Sequence, residues 1–271
     1  MIAYEKLLST IYKKKSLLCV GLDTDIDKIP IHLGRDLEAI LTFNKAIIDA
    51  TKKYVSSYKI NFAFYEKYGQ AGFELLKETF DYIPKDIYTI ADAKRGDIGN
   101  TSESYAKSIF EYFNADSITV SPYMGSDSVK PFLTYKDKMV FLLCLTSNEG
   151  SKDFQYLQVD GKPLYQRVLA TAQTWAGSEQ LGFVVGATHP KELEELRELA
   201  PDNFFLIPGI GAQGGDLKAT MLANAGANKS NFGLVNSSRA IIYASSGEDY
   251  AEKASEMAKQ TFNEINDVIG W

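Results

Sequence analysis

IYTIADAKRGDIGNT, residues 87–101, is the stretch of sequence that decides the fold. It opens with a short apolar run, continues through a cluster of charged residues, and leads into a helical pattern that starts near Asn100. A short, continuously apolar run is typical of a strand that is buried on both faces. The stretch therefore predicts one strand, a charged junction and the start of one helix.

The same unit recurs along the whole chain. Apolar runs predict strands at residues 16–22, 55–62, 87–91, 117–120, 139–145, 183–185, 204–207 and 233–235. Helical patterns cover residues 37–54, 65–82, 100–113, 128–134, 164–175, 190–199, 216–224, 239–243 and 250–269. Alternation of strands and helices implies parallel pairing, because a parallel pair needs a crossover connection.

Eight such units close naturally into a barrel. We therefore predict an α/β fold, a (β/α)8 TIM barrel, in which residues 1–271 form a single domain. The alternative is an open, doubly wound sheet. The absence of a GxGxxG motif after the first strand argues against a dinucleotide-binding version of that sheet.

Composition narrows the possible partners. The formal net charge is -6, so the chain is expected to bind neither nucleic acid nor an anionic membrane. No stretch reaches the ~18 apolar residues that span a bilayer, and the charged N-terminal segment does not resemble a signal peptide. Cys19 and Cys144 lie in apolar runs, as expected of buried free thiols in a reducing compartment. We therefore expect a cytoplasmic protein.

Charged residues at the ends of predicted strands are the main functional signal. Asp23 follows the first strand, Lys59 and Asn61 lie near the end of the second, and Asp92 and Lys94 end the third. Side chains two residues apart on a strand share a face. Charges cannot enter packed apolar layers without partners, so these groups are expected at the barrel mouth in a neutralising array. The alternative is a purely structural network of ion pairs.

Two long connections follow strands and so lie on the face where such barrels build their active sites. Residues 146–163 are expected to form a lid or ligand clamp, or otherwise a structural decoration. Residues 208–215, PGIGAQGG, bring main-chain N–H groups close to an anion, and Arg239 after Ser238 offers a fork for phosphate at the start of a helix. A plain glycine-rich turn and a surface arginine are the structural alternatives.

Together these motifs resemble the orotidine 5′-phosphate decarboxylase family, in the version of its longer bacterial and protozoan branch. DAKRGDIGNT at residues 92–101 carries most of the likeness. GLD at 21–23, KIN at 59–61, TSN at 146–148, PGIGAQGG at 208–215 and Ser238-Arg239 extend it in the same order along nearly the whole chain. Ser238 stands where many members of other branches have glycine.

The resemblance implies decarboxylation of orotidine 5′-monophosphate (OMP) to UMP without metal or cofactor, in a homodimer that shares its active sites. It implies a charged tetrad formed by Lys59, Asp92, Lys94 and, from the partner subunit, Asp97. Lys94 is implied to be the proton donor to C6. The implied substrate-binding residues are Asp23, Asn61, Ile98, Thr101, Thr146, Ser147, Pro208, Gln213, Ser238 and Arg239.

Specific contacts follow from the same resemblance. Asp23 and Asn61 are implied to hold the ribose hydroxyls, Thr146 or Ser147 to address the pyrimidine edge, and Gln213 and Arg239 to grip the phosphate. For Asp97 alone, a structural reading is also open, since an acid at a helix start interacts favourably with the helix dipole.

Two other functions stay open at this stage. One is a metal-dependent decarboxylase or synthase of sugar phosphates on the same barrel, which needs oxygen ligands for Mg²⁺ at the second and third strand ends. Lys59, a cation, stands at that place on the second strand. His32 and His189 have no Cys or second His at ligand spacing, so a zinc site is not expected. The other function is a non-catalytic phosphate-binding barrel, which has no need of a lysine between two acids.

Overall fold

The computed structural model describes residues 1–210, 216–225 and 232–271. Eight parallel strands close a barrel in the order β1, β2, β3, β4, β5, β8, β9, β10, with β10 pairing back to β1. They are β1 (Leu18–Gly21), β2 (Ser57–Asn61), β3 (Tyr88–Arg95), β4 (Ser117–Val120), β5 (Met139–Leu145), β8 (Leu181–Val185), β9 (Phe205–Pro208) and β10 (Gly233–Ser237). The predicted TIM barrel is confirmed and the open sheet is wrong.

Helices surround the barrel, and most of them lie where the sequence predicted helices. They are α1 (Ala3–Lys14), α2 (Leu37–Thr51), α3 (Ala63–Glu66), α4 (Gly69–Tyr82), α5 (Gly99–Lys107), α6 (Ser126–Leu133), α7 (Ser151–Phe154), α8 (Leu164–Ala172), α9 (Pro190–Leu199), α10 (Leu217–Ala225), α11 (Arg239–Ile242) and α12 (Tyr250–Ile269). Their apolar faces pack on strands that are almost wholly buried, as parallel strands with helices outside must be.

Helix α1 was not predicted from the sequence. It buries Leu7 and Ile11, and its Lys6 forms an ion pair of 2.7 Å with Asp116. Asp116 directly precedes β4 and also accepts hydrogen bonds from the main chain and hydroxyl of Thr89. The helix is therefore fixed near the amino ends of the strands, away from the face where the long connections lie.

The long connection after β5 contains local structure that the sequence did not predict. It holds α7 and a small antiparallel hairpin formed by β6 (Gln158–Val159) and β7 (Lys162–Pro163). Gln155 ties the segment back to the end of β5, because its side chain accepts from the Thr146 N–H at 2.8 Å and donates to the Thr146 hydroxyl at 2.8 Å. The connection is therefore an ordered unit seated on the barrel mouth.

The buried side chain of Arg197, in α9, connects this helix to α10 and to the segments that precede β9 and β10. Its guanidinium donates to the main-chain oxygens of Asn203 and Asn224 and to that of Phe232, which directly precedes β10. One side chain thus ties α9, α10 and β10 together at the amino ends of β9 and β10. In the described part of the chain, no helix is both long and apolar enough to cross a membrane.

Candidate active site

A cavity of about 320 Å³ opens at the carboxyl ends of the barrel strands. This volume suits a small-molecule ligand. All eight barrel strands contribute residues near their carboxyl ends to this cavity. The lining residues are Asp23, Lys59, Asn61, Asp92, Lys94, Thr119, Leu143, Thr146, Ser147, Asn148, Val184, Leu206, Pro208, Gly209, Ile210, Asn236, Ser238 and Arg239.

The charged residues predicted at three strand ends form one continuous row of alternating sign. Lys59 Nζ lies 3.1 Å from Asp23 Oδ1 and 2.8 Å from Asp92 Oδ2. The other oxygen of Asp92, Oδ1, lies 2.6 Å from Lys94 Nζ. Neighbouring strands deliver this order, because β2 pairs with β1 on one side and with β3 on the other. The row thus contains two cations and two anions.

The members of this row differ in how far their side chains are buried. The side chains of Lys59 and Asp92 are 5% and 8% exposed, whereas that of Lys94 is 49% exposed. Burial by itself lowers the pKa of Lys59, but the charges of Asp23 and Asp92 outweigh it and raise that pKa. Burial likewise opposes ionisation of Asp92, yet Lys59 and Lys94 hold the pKa of its carboxyl well below the ordinary range. Both groups are therefore charged at neutral pH.

A bulge in β3 aims both Asp92 and Lys94 at the cavity. Ala91 pairs with Ile118 and Arg95 pairs with Val120, so residues 92–94 lie opposite the single residue Thr119. Lys94 adopts φ 47°, a left-handed conformation that a non-glycine residue takes only at some cost. The period-two rule correctly predicted that Asp92 and Lys94 share the cavity, but it did not predict this backbone.

The far rim of the cavity carries residues predicted to bind phosphate. Pro208, Ser238 and Arg239 line it, and the Arg239 guanidinium forms no ion pair with the described residues. Gly209 adopts φ 106°, which favours glycine there. Gln213 lies outside the described residues. Helix α11 is only four residues long, so the helix-dipole contribution expected at Arg239 is limited to one turn.

The two residues predicted for the pyrimidine edge differ in their partners. The Thr146 hydroxyl donates to Asn148 Oδ1 at 2.6 Å and accepts from Gln155, so its hydrogen-bonding capacity is in use. The Ser147 hydroxyl lies over Gly186, is shielded from solvent and has no partner within the described ranges. A shielded hydroxyl without a partner is uncommon and needs an explanation.

Three predicted site residues do not line the cavity of a single chain. Asp97 and Ile98 lie between β3 and α5, Thr101 lies in the first turn of α5, and Ile98 is 53% exposed. Asp97 Oδ1 accepts a hydrogen bond from the Ile98 N–H at 2.8 Å. Within one chain, the fourth member of the charged group is therefore Asp23 and not Asp97.

Several lining residues were not singled out from the sequence. Thr119 and Asn236 lie inside strands, where nothing in the sequence distinguishes them from other strand residues. Leu143, Val184 and Leu206 form an apolar wall of the cavity. Asn236 is 6% exposed, and its side-chain oxygen has no partner in the part of the chain that is described.

Among the described residues, no three or more His, Cys, Asp or Glu side chains are grouped to hold a metal ion. The two carboxylates nearest each other in the cavity, Asp23 and Asp92, are bridged by Lys59. This arrangement places an ammonium group where a divalent cation would need oxygen ligands.

The closed barrel and its charge-lined cavity define a (β/α)8-barrel protein with a small-molecule site at the carboxyl ends of its strands. The family model described as orotidine 5′-phosphate decarboxylase / HUMPS matches residues 16–254, and the chain belongs to this family. The resemblance stated from the sequence motifs is thus confirmed.

Named relatives match this chain over nearly its whole length. A protein of Flavobacterium johnsoniae named orotidine 5′-phosphate decarboxylase is 52% identical over 268 residues, which are 98% of this chain and 97% of that one. The structure of Leishmania donovani OMP decarboxylase matches with a TM-score of 0.88 and 40% identity, covering 100% of both chains. Leishmania donovani UMP synthase matches with a TM-score of 0.88 and 41% identity, over 99% of this chain but only 57% of that one.

The charged row predicts how stability depends on pH. Because the folded-state pKa of Asp92 lies below its unfolded value of about 3.9, its contribution is present above that pH and is lost as pH falls towards the folded pKa. The contribution of Lys59 to stability depends on pH in the opposite way, because its folded-state pKa is raised. That contribution is present below its unfolded pKa of about 10.4 and is lost as pH rises towards the folded pKa. Between about pH 5 and pH 2, wild type should therefore lose more unfolding free energy than Asp92→Asn.

Urea unfolding followed by circular dichroism at several pH values measures this difference. Asp81→Asn is the matched control, because Asp81 is a half-exposed helix residue paired only with Lys77. The control should track wild type. Parallel pH curves for wild type and Asp92→Asn would contradict the electrostatic role given to the row.

Proposed function

We propose that this protein decarboxylates OMP to UMP and CO2, and that Lys94 stabilises and then protonates C6 without a metal or cofactor. The reaction follows from the family and from the names of its relatives. The residue roles are supported by one observation above all, the row in which Asp92 binds Lys94 on one side and Lys59 on the other.

The chemistry explains why a fixed cation is needed. When the bond between C6 and the carboxylate carbon breaks, its electron pair stays on C6 in the plane of the ring. The ring π system cannot delocalise that pair, so the protein must place positive charge beside it in advance. The Lys94 ammonium then transfers a proton to C6, becomes a neutral amine, and is protonated again from solvent.

The position of Lys94 in the row supports this role. Its ammonium is held by Asp92 Oδ1 at 2.6 Å, which fixes its position at the cavity. Half of the Lys94 side chain remains exposed to the cavity, whereas Lys59 is engaged by two carboxylates and buried. Lys94 is thus the cation of the row that can reach a ligand.

The rest of the cavity suits the other parts of OMP. Pro208, Ser238 and Arg239 are placed to hold the phosphate, and we assign Gln213 to it from the motif. Asp23, Lys59 and Asn61 line the same cavity at the ends of β1 and β2 and suit the ribose hydroxyls. Thr146 and Ser147 both line the cavity, and we assign the pyrimidine edge to this pair.

Lys94 alone cannot account for the rate. One well-aimed donor contributes about 2.7–4 kcal/mol to catalysis, whereas enzymes lower barriers by about 8–23 kcal/mol. Binding energy from the remote phosphate must therefore be used at the reacting carbon. The connection after β5 lines the cavity through Thr146, Ser147 and Asn148 and is suited to closing over the ligand. Of the connection after β9, Pro208, Gly209 and Ile210 line the cavity, and residues 211–215 lie outside the described part of the chain.

We further propose a homodimer in which Asp97, Ile98 and Thr101 of the partner subunit complete each cavity. These residues lie outside the cavity of their own chain, although they belong to the same motif as Asp92 and Lys94. Exposed apolar side chains also follow β4 and lie in α7: Tyr123 is 85% exposed, Met124 49% and Phe154 60%. Such a patch at the barrel mouth supports an interface there.

We also propose a cytoplasmic location, supported by two buried cysteines that are free thiols. The metal-dependent alternative within the family requires oxygen ligands where Lys59 bridges Asp23 and Asp92. A non-catalytic phosphate-binding barrel has no use for Lys94 beside Asp92. Both alternatives give different results in the assay that follows.

Wild type should deplete OMP, followed by absorbance, at the same rate in EDTA and in Mg²⁺. Lys94→Ala should lose at least about 1,000-fold in kcat, because it removes both the charge beside C6 and the proton donor. Lys85→Ala, in the turn before β3, is the matched control and should keep wild-type kcat. Turnover that needs Mg²⁺, or a Lys94→Ala variant with wild-type kcat, would overturn the mechanism.

Mixing two inactive variants tests the shared site. In mixed dimers of Lys94→Ala and Asp97→Ala, one of the two sites has both residues intact. After subunit exchange about a quarter of wild-type activity should return, because half the dimers are mixed and half their sites are whole. Mixing Lys94→Ala with Asp92→Ala should restore nothing, because Asp92 and Lys94 come from the same chain. No recovery in the first mixture, with exchange demonstrated, would refute the shared site.

A further inference from the structure

We infer that Thr119 of β4 is a positioning residue that holds both the main chain of Lys94 and the carboxylate of Asp92. This inference rests on the proposed function, since it assigns to Thr119 the placement of the proposed proton donor. Thr119 is 1% exposed and lines the floor of the cavity. Because Thr119 is uncharged and lies within a strand, the sequence alone did not indicate a functional role for it.

The bulge in β3 makes Thr119 the only β4 residue opposite the reacting segment. Ala91 and Arg95 keep partners on β4, while residues 92–94 all face Thr119. A bulge leaves its extra residues without their ladder hydrogen bonds. Something other than the β4 main chain must therefore satisfy the Lys94 N–H.

The Thr119 hydroxyl supplies that partner. Its Oγ1 accepts a hydrogen bond from the Lys94 N–H at 3.0 Å. The same oxygen donates its own hydrogen to Asp92 Oδ1 at 2.9 Å. Asp92 Oδ1 in turn accepts from Lys94 Nζ at 2.6 Å, so one hydroxyl fixes both ends of the lysine.

Several features suit threonine to this task. A β-branched residue has restricted χ1 freedom, and Thr119 is buried between two barrel strands, so its hydroxyl is held in one direction. Lys94 needs such support because its φ of 47° is unfavourable for a residue with a side chain. Without the hydroxyl, the Lys94 N–H loses its acceptor and Asp92 Oδ1 loses one of two donors.

Loss of the hydroxyl should affect the chemical step more than binding. No substrate-binding role is assigned to Thr119, and the phosphate and ribose residues lie on other strands. A displacement of about 1 Å at a reacting group can cost on the order of 100-fold in rate. The defect should therefore appear in kcat, with little change in KM or in affinity for UMP.

The test compares Thr119→Val, which removes the hydroxyl at nearly constant shape, with Thr119→Ser, which keeps it. Thr119→Val should lower kcat roughly 10- to 100-fold, the loss expected when a hydrogen bond to a charged group is removed. Thr119→Ser should stay within about threefold of wild type. Thr261→Val, at a buried threonine of α12 far from the cavity, is the matched control and should not change kcat.

UMP affinity by calorimetry and the thermal unfolding midpoint separate positioning from general structural damage. Thr119→Val should bind UMP as wild type does and unfold cooperatively. If Thr119→Val does not fold, Thr119→Ala against Thr119→Ser makes the same comparison. A hydroxyl-free variant with wild-type kcat, a serine variant as impaired as valine, or a loss that lies in KM and UMP affinity would each overturn the inference. A wild-type protein that does not turn over OMP would instead overturn the proposed function.

Discussion

The neutralisation of charge inside the barrel mouth is the constraint on which the rest of this structure depends. Lys59 is buried, and an isolated buried cation is penalised by several kcal/mol. It is tolerated because Asp23 and Asp92 lie on the strands on either side at 3.1 Å and 2.8 Å. The parallel register of β1, β2 and β3 sets these distances. Closing the barrel therefore assembles the charged row, and the row holds Lys94 at the cavity.

The cavity is polar on one side and apolar on the other. Asp23, Lys59, Asp92 and Lys94 occupy the β1–β3 side, whereas Leu143, Val184 and Leu206 line the side formed by β5, β8 and β9. An apolar wall lowers the local dielectric and strengthens every interaction of the charges that face it. The same sheet thus supplies fixed charge and the surroundings in which that charge acts strongly on a ligand.

Much of this arrangement could be predicted from the sequence, for identifiable physical reasons. Strands buried on both faces must be continuously apolar, so eight such runs predicted the barrel. Charges that end these runs predicted the mouth, and ten of the thirteen predicted site residues that the structure describes line the cavity. The bulge at residues 92–94 could not be predicted, because period-two alternation gives the same faces without it. Thr119 went unnoticed for a related reason, since threonine is common in any strand.

Other features depend on information that one chain does not carry. Nothing in the spacing of Asp97, Ile98 and Thr101 distinguishes a site within the chain from one shared between subunits, and only the family resemblance suggested the latter. Helix α1 does have Leu7, Leu8 and Ile11 at helical spacing, but Glu5, Lys6, Lys13 and Lys14 around them made the segment resemble a charged lead-in to the first strand.

The central claim is that the charged row delivers the Lys94 ammonium to C6 of the pyrimidine. A crystal structure of the protein with UMP tests it most directly. The account predicts C6 within about 3–3.5 Å of Lys94 Nζ, close enough for proton transfer, with Asp92 still bound to that ammonium. A complex in which UMP fills the cavity but C6 faces another group, with Lys94 turned away, would contradict it.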